Sequence, residues 1–95
     1  MVSLGILTIQ LHIPGCASLK EKRGRLKPLL SKLHKEFNVS VAEIDYHDKW
    51  QDSIIACALV SNNNRHTQRV LMSVPEWIDH NWLDVDLIND AIELI

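Results

Sequence analysis

The stretch Leu4–Phe37, LGILTIQLHIPGCASLKEKRGRLKPLLSKLHKEF, holds the change of period that decides the fold. Its first ten residues alternate, with Leu7, Ile9, Leu11 and Ile13 on one side and Thr8, Gln10 and His12 on the other. Period two predicts a strand over Leu4–Ile13 with one packed face. Pro14-Gly15 ends it. Ser18-Leu19-Lys20-Glu21 then has the form of a capping box and predicts a helix start. Leu19, Leu26, Leu29, Leu30, Leu33 and Phe37 fall on one helical face. Pro28 removes one helical hydrogen bond and crowds the carbonyl of Gly24, which predicts a bend toward solvent.

Working outward, Asn38–Asp45 reads as a second strand, with Val39 and Val41 opposite Ser40, Ala42 and Ile44. Tyr46-His47-Asp48-Lys49 is a short connection. Ser53–Ser61, SIIACALVS, is nearly all apolar, as expected of a central strand covered on both faces. Asn62-Asn63-Asn64 offers turn and N-cap chemistry. A second helix follows, with Val70, Leu71, Val74 and Ile78 as its core and Pro75 kinking or dividing it. Leu83, Val85 and Leu87 alternate with Asp84 and Asp86 in a last strand, which leaves Ala91–Ile95 as a dimer contact or a frayed tail. The order β-α-β-β-α-β predicts an α+β, ferredoxin-like domain over residues 1–95, a four-stranded antiparallel sheet with two helices on one face. That fold serves many unrelated functions, so function has to come from side chains.

Charge is unevenly spread. Formal net charge is −2 over 95 residues, which argues against a general nucleic-acid binder. Yet residues 18–37 hold seven of the ten Lys and Arg against only Glu21 and Glu36. Residues 76–95 carry Glu76, Asp79, Asp84, Asp86, Asp90 and Glu93 and no base. No apolar run approaches the roughly 18 residues that span a bilayer, so no membrane association is expected. Cys16 and Cys57 form neither a CxxC pair nor a metal spacing; reduced thiols in a cytoplasmic protein are expected.

Candidate chemistry concentrates at the helix start. Free backbone N–H groups, the Ser18 hydroxyl and the cations Lys20, Lys22, Arg23, Arg25 and Lys27 form a candidate anion- or RNA-binding set. Most of that charge also reads as a solvated face. Lys22 and Arg23 differ, because Lys22 lies on the apolar stripe and Arg23 at its margin. Their stems either snorkel over the sheet edge with heads in water, or present an anion site. Glu43 and Asp45, read as sharing a strand face, precede His47 and Asp48, a set that either protects an edge strand or binds a metal or does acid–base work. No metal site, cofactor motif or catalytic motif is recognisable. Trp50, Trp77 and Trp82 read as packing residues or as an exposed partner anchor. The strands lack the aromatic residues on which RNA-binding relatives of this fold stack bases. Leu4, Ile6, Thr8, Gln10 and His12 leave the face opposite the helices half apolar, which self-association would cover.

Three blocks, LHIPGCASLKEKR at Leu11–Arg23, FNVSVAEIDYHDKWQ at Phe37–Gln51 and VSN at Val60–Asn62, resemble the YlxP-like family of small bacterial proteins, a domain of unknown function. The resemblance covers nearly the whole chain. It implies a ferredoxin-like fold and, through the family's usual gene neighbours in translation initiation and ribosome maturation, a link to the ribosome or RNA. It implies no catalytic residue. The matching positions of interest are His12, Pro14, Ser18, Lys20, Lys22, Arg23, Asp45, Asp48, Trp50 and Gln51. The chain departs from the pattern at Gly24, Pro28 and Pro75. Three readings follow: a non-enzymatic ribosome- or RNA-associated protein acting through the basic helix, a homodimeric protein-interaction module using surfaces that include His12, Asp45, His47, Asp48 and Trp50, and a small-anion enzyme uniting Ser18–Arg23 with Asp45, His47 and Asp48.

Overall fold

A computed structural model describes residues 1–95. The elements run β1 (Ser3–His12), α1 (Leu19–Phe37), β2 (Ser40–Asp45), β3 (Asp52–Ser61), α2 (Asn64–Asn81) and β4 (Asp86–Leu94). The strands form one antiparallel sheet in the order β2-β3-β1-β4. This is the α+β ferredoxin-like arrangement that the change of period predicts.

Alternation in β1 works as read. Leu7, Ile9 and Leu11 are fully buried and join Ile55, Cys57 and Leu59 of β3 beneath the helices. Leu26, Leu29 and Leu33 of α1 and Leu71, Val74 and Ile78 of α2 close the same core from above. Burying such side chains contributes about 1.5–3 kcal/mol each. At Gly5 α2 comes close to the sheet: a Cβ there would stand 2.6 Å from Thr67 Cγ2 and 2.7 Å from Leu71 Cδ1.

Ser18 caps α1 by accepting from the Glu21 N–H at 3.0 Å. The reciprocal arm of the box is absent; the Glu21 carboxylate faces Arg25 Nη1 at 3.6 Å instead. Asn38, at φ 53, ends α1 in the left-handed region that asparagine tolerates. Asn63 caps α2 by accepting from the His66 N–H at 3.1 Å.

Four expectations need correction. The second helix is not divided at Pro75; α2 runs unbroken through it, since Val74 and Ile78 on either side are buried and outweigh one missing hydrogen bond. β3 lies between two strands but is covered on one face only, leaving Ile54, Ala56 and Ala58 half exposed and Val60 67% exposed. The last strand is Asp86–Leu94, so Ala91–Leu94 belong to the sheet rather than to a tail. Its alternation is disguised by a bulge: Gln10 pairs with Asn89 but Leu11 pairs with Leu87, so Ile88 is extra and the inward-facing parity switches there. A second bulge, at Ile44, sets Glu43 opposite Ile55 and Asp45 opposite Ile54. Those two acids therefore lie on opposite faces of the sheet, Glu43 toward the helices.

Candidate functional site

The basic residues of α1 separate into two groups with different fates. Lys22 is 2% exposed. Its ammonium donates to the carbonyls of Tyr46 at 2.6 Å and Lys49 at 2.8 Å and pairs with Glu43 Oε2 at 2.9 Å. Glu43 in turn accepts from the Ser53 hydroxyl at 2.6 Å. All three ammonium donors are committed inside the protein, so neither a snorkelling head nor a free phosphate contact describes Lys22. It clamps the β2–β3 hairpin onto α1. Arg25 is also engaged: Nη1 donates to the Pro14 carbonyl at 2.8 Å, Nη2 to that of Asp84 at 2.5 Å, and Nε faces Asp84 Oδ2 at 3.5 Å. The Ser18 hydroxyl is taken by the cap.

Lys20, Arg23 and Lys27 remain exposed and make no hydrogen bond or ion pair within the chain. At 3.6 residues per turn they share one flank of α1 with Ser31, His34 and Lys35. That flank carries no acid, whereas Glu21 and Glu36 lie on the other flank with Arg25 and Lys32. It borders the edge strand β2. Two shallow hollows follow the seam. One, of about 230 Å³, is lined by Arg23, Leu26, Lys27, Leu30 and Glu43. The next, of about 320 Å³, is lined by Lys27, Leu30, Ser31, His34, Ser40 and Val41. His34 is fixed toward β2 by a 2.8 Å hydrogen bond between Nδ1 and the Val39 carbonyl. The sequence signalled this flank only through its helical spacing; the burial of Lys22 gave no sequence signal beyond its place on the stripe.

The second candidate set is split. The Ile13 N–H donates to the Gln51 carbonyl at 2.7 Å and Gln51 Nε2 to the Cys16 carbonyl at 3.2 Å, which ties the hairpin loop to the start of α1. The loop exposes His47, Asp48 and Trp50, the last at 54%. Lys49 lies over the Tyr46 ring at 4.0 Å. Asp45 accepts from the Tyr46 N–H at 2.7 Å on the far face of the sheet. His12 Nδ1 lies 3.2 Å from Asp52 Oδ1 on that same far face. The Ser18–Arg23 segment thus meets the loop through Lys22, but Asp45 and His12 do not join it in one pocket. Trp77 and Trp82 pack with Phe37, at centroid distances of 6.0 Å from Phe37 to Trp77 and 6.2 Å from Trp77 to Trp82.

Cys16 and Cys57 are free thiols, both buried. Burial pushes the Cys57 thiol up to about 11. No three His, Cys, Asp or Glu side chains are grouped to hold a metal ion. No helix is long and apolar enough to cross a membrane.

Against this geometry, comparison with known proteins gives a consistent result. The family model described as Protein of unknown function (DUF503) matches residues 4–91. The uncharacterized protein YlxP of Bacillus subtilis (strain 168) is 38% identical over 76 residues, covering 80% of this chain and 83% of that protein.

Proposed function

The chain belongs to the DUF503 family, whose description assigns no activity, and from the chain's own surface we propose that it binds RNA, or a ribosomal surface built of RNA, through the β2-facing flank of α1. The observation that carries this reading is the segregation of charge around one helix. Lys20, Arg23, Lys27 and Lys35 line an acid-free flank, while Lys22 on the buried side and Arg25 on the opposite flank are used internally and Lys32 alone stays exposed among the acids there. Four cations over about 22 Å of helix can each meet a phosphate along a backbone. No strand face offers an aromatic stacking platform, so recognition falls on phosphates rather than bases.

Co-sedimentation with ribosomal subunits and anisotropy with a labelled RNA test this at low and high salt. Arg23→Glu with Lys27→Glu lowers affinity by tenfold or more while the circular dichroism melt stays in place. No binding at low salt, or binding indifferent to the double variant, rejects the reading.

A second reading, a protein-interaction module of homo-oligomeric type, draws on a different surface. The sheet face away from the helices carries no Lys or Arg, and Leu4, Ile6, Ile54, Ala56, Ala58 and Val60 lie on it uncovered by the chain's own elements. Its test is whether that face is needed for association.

A further inference from the structure

We propose that the open sheet face is closed by a second copy of the chain, packed face to face about a two-fold axis running along the strands between β1 and β3. This inference rests on the interaction-module reading and names its partner.

The register arranges the face in rows across the sheet. Leu4 and Val60 form the first row, Ile6, Ala58, Ser40 and Glu93 the next, and Thr8, Ala56, Ala42 and Ala91 the middle one. Gln10, Ile54, Asp45 and Asn89 follow, and His12, Asp52 and Asp86 close the face. The centre is therefore flat and small, which lets a second sheet approach to the usual face-to-face spacing.

Four of the polar side chains on the face are paired with one another. Asn89 Nδ2 donates to Gln10 Oε1 at 3.1 Å, and His12 pairs with Asp52 at 3.2 Å. Groups already partnered within one chain can be covered without leaving donors or acceptors unmet. The face has no Lys or Arg and carries Asp45, Asp52, Asp86 and Glu93 around its apolar centre, which makes it a poor match for a nucleic acid.

The size also suits a copy. Four strands at about 4.8 Å spacing and ten residues at about 3.3 Å give a flat area of roughly 600 Å². Side-chain relief raises the accessible area toward the roughly 800 Å² per partner of a stable interface.

The gradient from apolar to polar fixes the axis. Rotation about a line along the strands lays β1 over the partner's β3 and keeps the rows level. The Leu4 row then meets its own apolar kind, larger Ile6 meets the smaller residue of the Ala58 column, and each imidazole of the His12 column meets a carboxylate of the Asp52 column. An axis across the strands would instead press the His12–Asp52 pair onto the Leu4–Val60 row and strip it of water.

Sedimentation velocity over a concentration series reads the proposal. The 10.9 kDa chain sediments at twice that mass. Ala56→Glu and Ala58→Arg, both at half-exposed positions, return it to monomer with an unchanged melt. Mixing a Leu4→Cys chain with a Val60→Cys chain gives an intermolecular cross-link with a short bifunctional maleimide able to span the roughly 10 Å between packed sheets, and Leu4→Cys with Asp52→Cys does not. The reverse crosslinking pattern overturns the axis. A wild-type monomer at every concentration overturns the second copy; if Ala56→Glu then also abolishes capture of some other protein, the interaction-module reading stands without it.

Discussion

The ammonium of Lys22 lies 2.9 Å from the Glu43 carboxylate in the interior, with the two hairpin carbonyls of Tyr46 and Lys49 filling its remaining donor positions. One residue later, Arg23 projects into the groove beside β2 with no partner in the chain. Adjacent cations in the sequence thus perform opposite tasks. The first holds the β2–β3 hairpin against α1; the second is free for a ligand. A variant that changes both, judged by activity alone, confounds unfolding with lost binding.

Separate substitutions distinguish them. Lys22→Met leaves Glu43 without its buried counter-charge and two carbonyls without a donor, and is expected to cost about 3–5 kcal/mol in urea unfolding. Arg23→Gln stays within about 0.5 kcal/mol of wild type, as ordinary surface changes do. Equal losses from the two variants would contradict the division of roles.

The sequence was most legible where period and burial agree. Leu7, Ile9 and Leu11 alternate without interruption and are fully buried, and Ser18 caps the helix where its spacing predicts. It was least legible at Ile44 and Ile88, where one extra residue switches which side chains face inward. A bulge is set by pairing with a distant strand, so a local pattern carries no mark of it. The same holds for Lys22: its place on the apolar stripe was visible, but Glu43 and the Tyr46 and Lys49 carbonyls that neutralise it come from the hairpin. Arg25 likewise finds Asp84 only through the fold.

Cys57 supplies a pH signature. Burial raises its thiol from 9.0 to about 11. The folded chain keeps the proton between those values while the unfolded chain releases it, so stability is fully present below pH 9 and falls as pH rises toward 11. The loss from this one group amounts to about 2–3 kcal/mol by the upper end. Urea midpoints measured from pH 8 to 11 for wild type and Cys57→Ala give it by difference. The variant lacks this part of the alkaline decline. The native thiol also resists alkylation at pH 8 until urea unfolds the chain.

Gly5→Ala tests the seat of α2 on the sheet. The added methyl meets Leu71, which can turn away, and Thr67, which cannot turn freely. Its hydroxyl accepts from Ser3 at 2.8 Å and lies 2.6 Å from that of Ser61. Overpacking of this kind costs about 1–3 kcal/mol. A lowered thermal midpoint is expected in Gly5→Ala, and partial recovery when Thr67→Ser removes the clashing Cγ2 while keeping the hydroxyl. A Gly5→Ala protein as stable as wild type would mean that α2 lifts off without loss.

Salt dependence reads the number of cations that meet phosphate. Each phosphate neutralised contributes about 0.7 to the slope of log affinity against log salt for a single strand and about 0.9 for a B-form duplex. Contact by Lys20, Arg23, Lys27 and Lys35 therefore predicts a slope of about −3 to −4. Lys27→Gln lowers its magnitude by close to one contact's share. Lys32→Gln, on the opposite flank, leaves it unchanged. Equal effects from Lys27 and Lys32 would mean that the ligand sees only the net charge of α1, and that its flank toward β2 is not the contact surface.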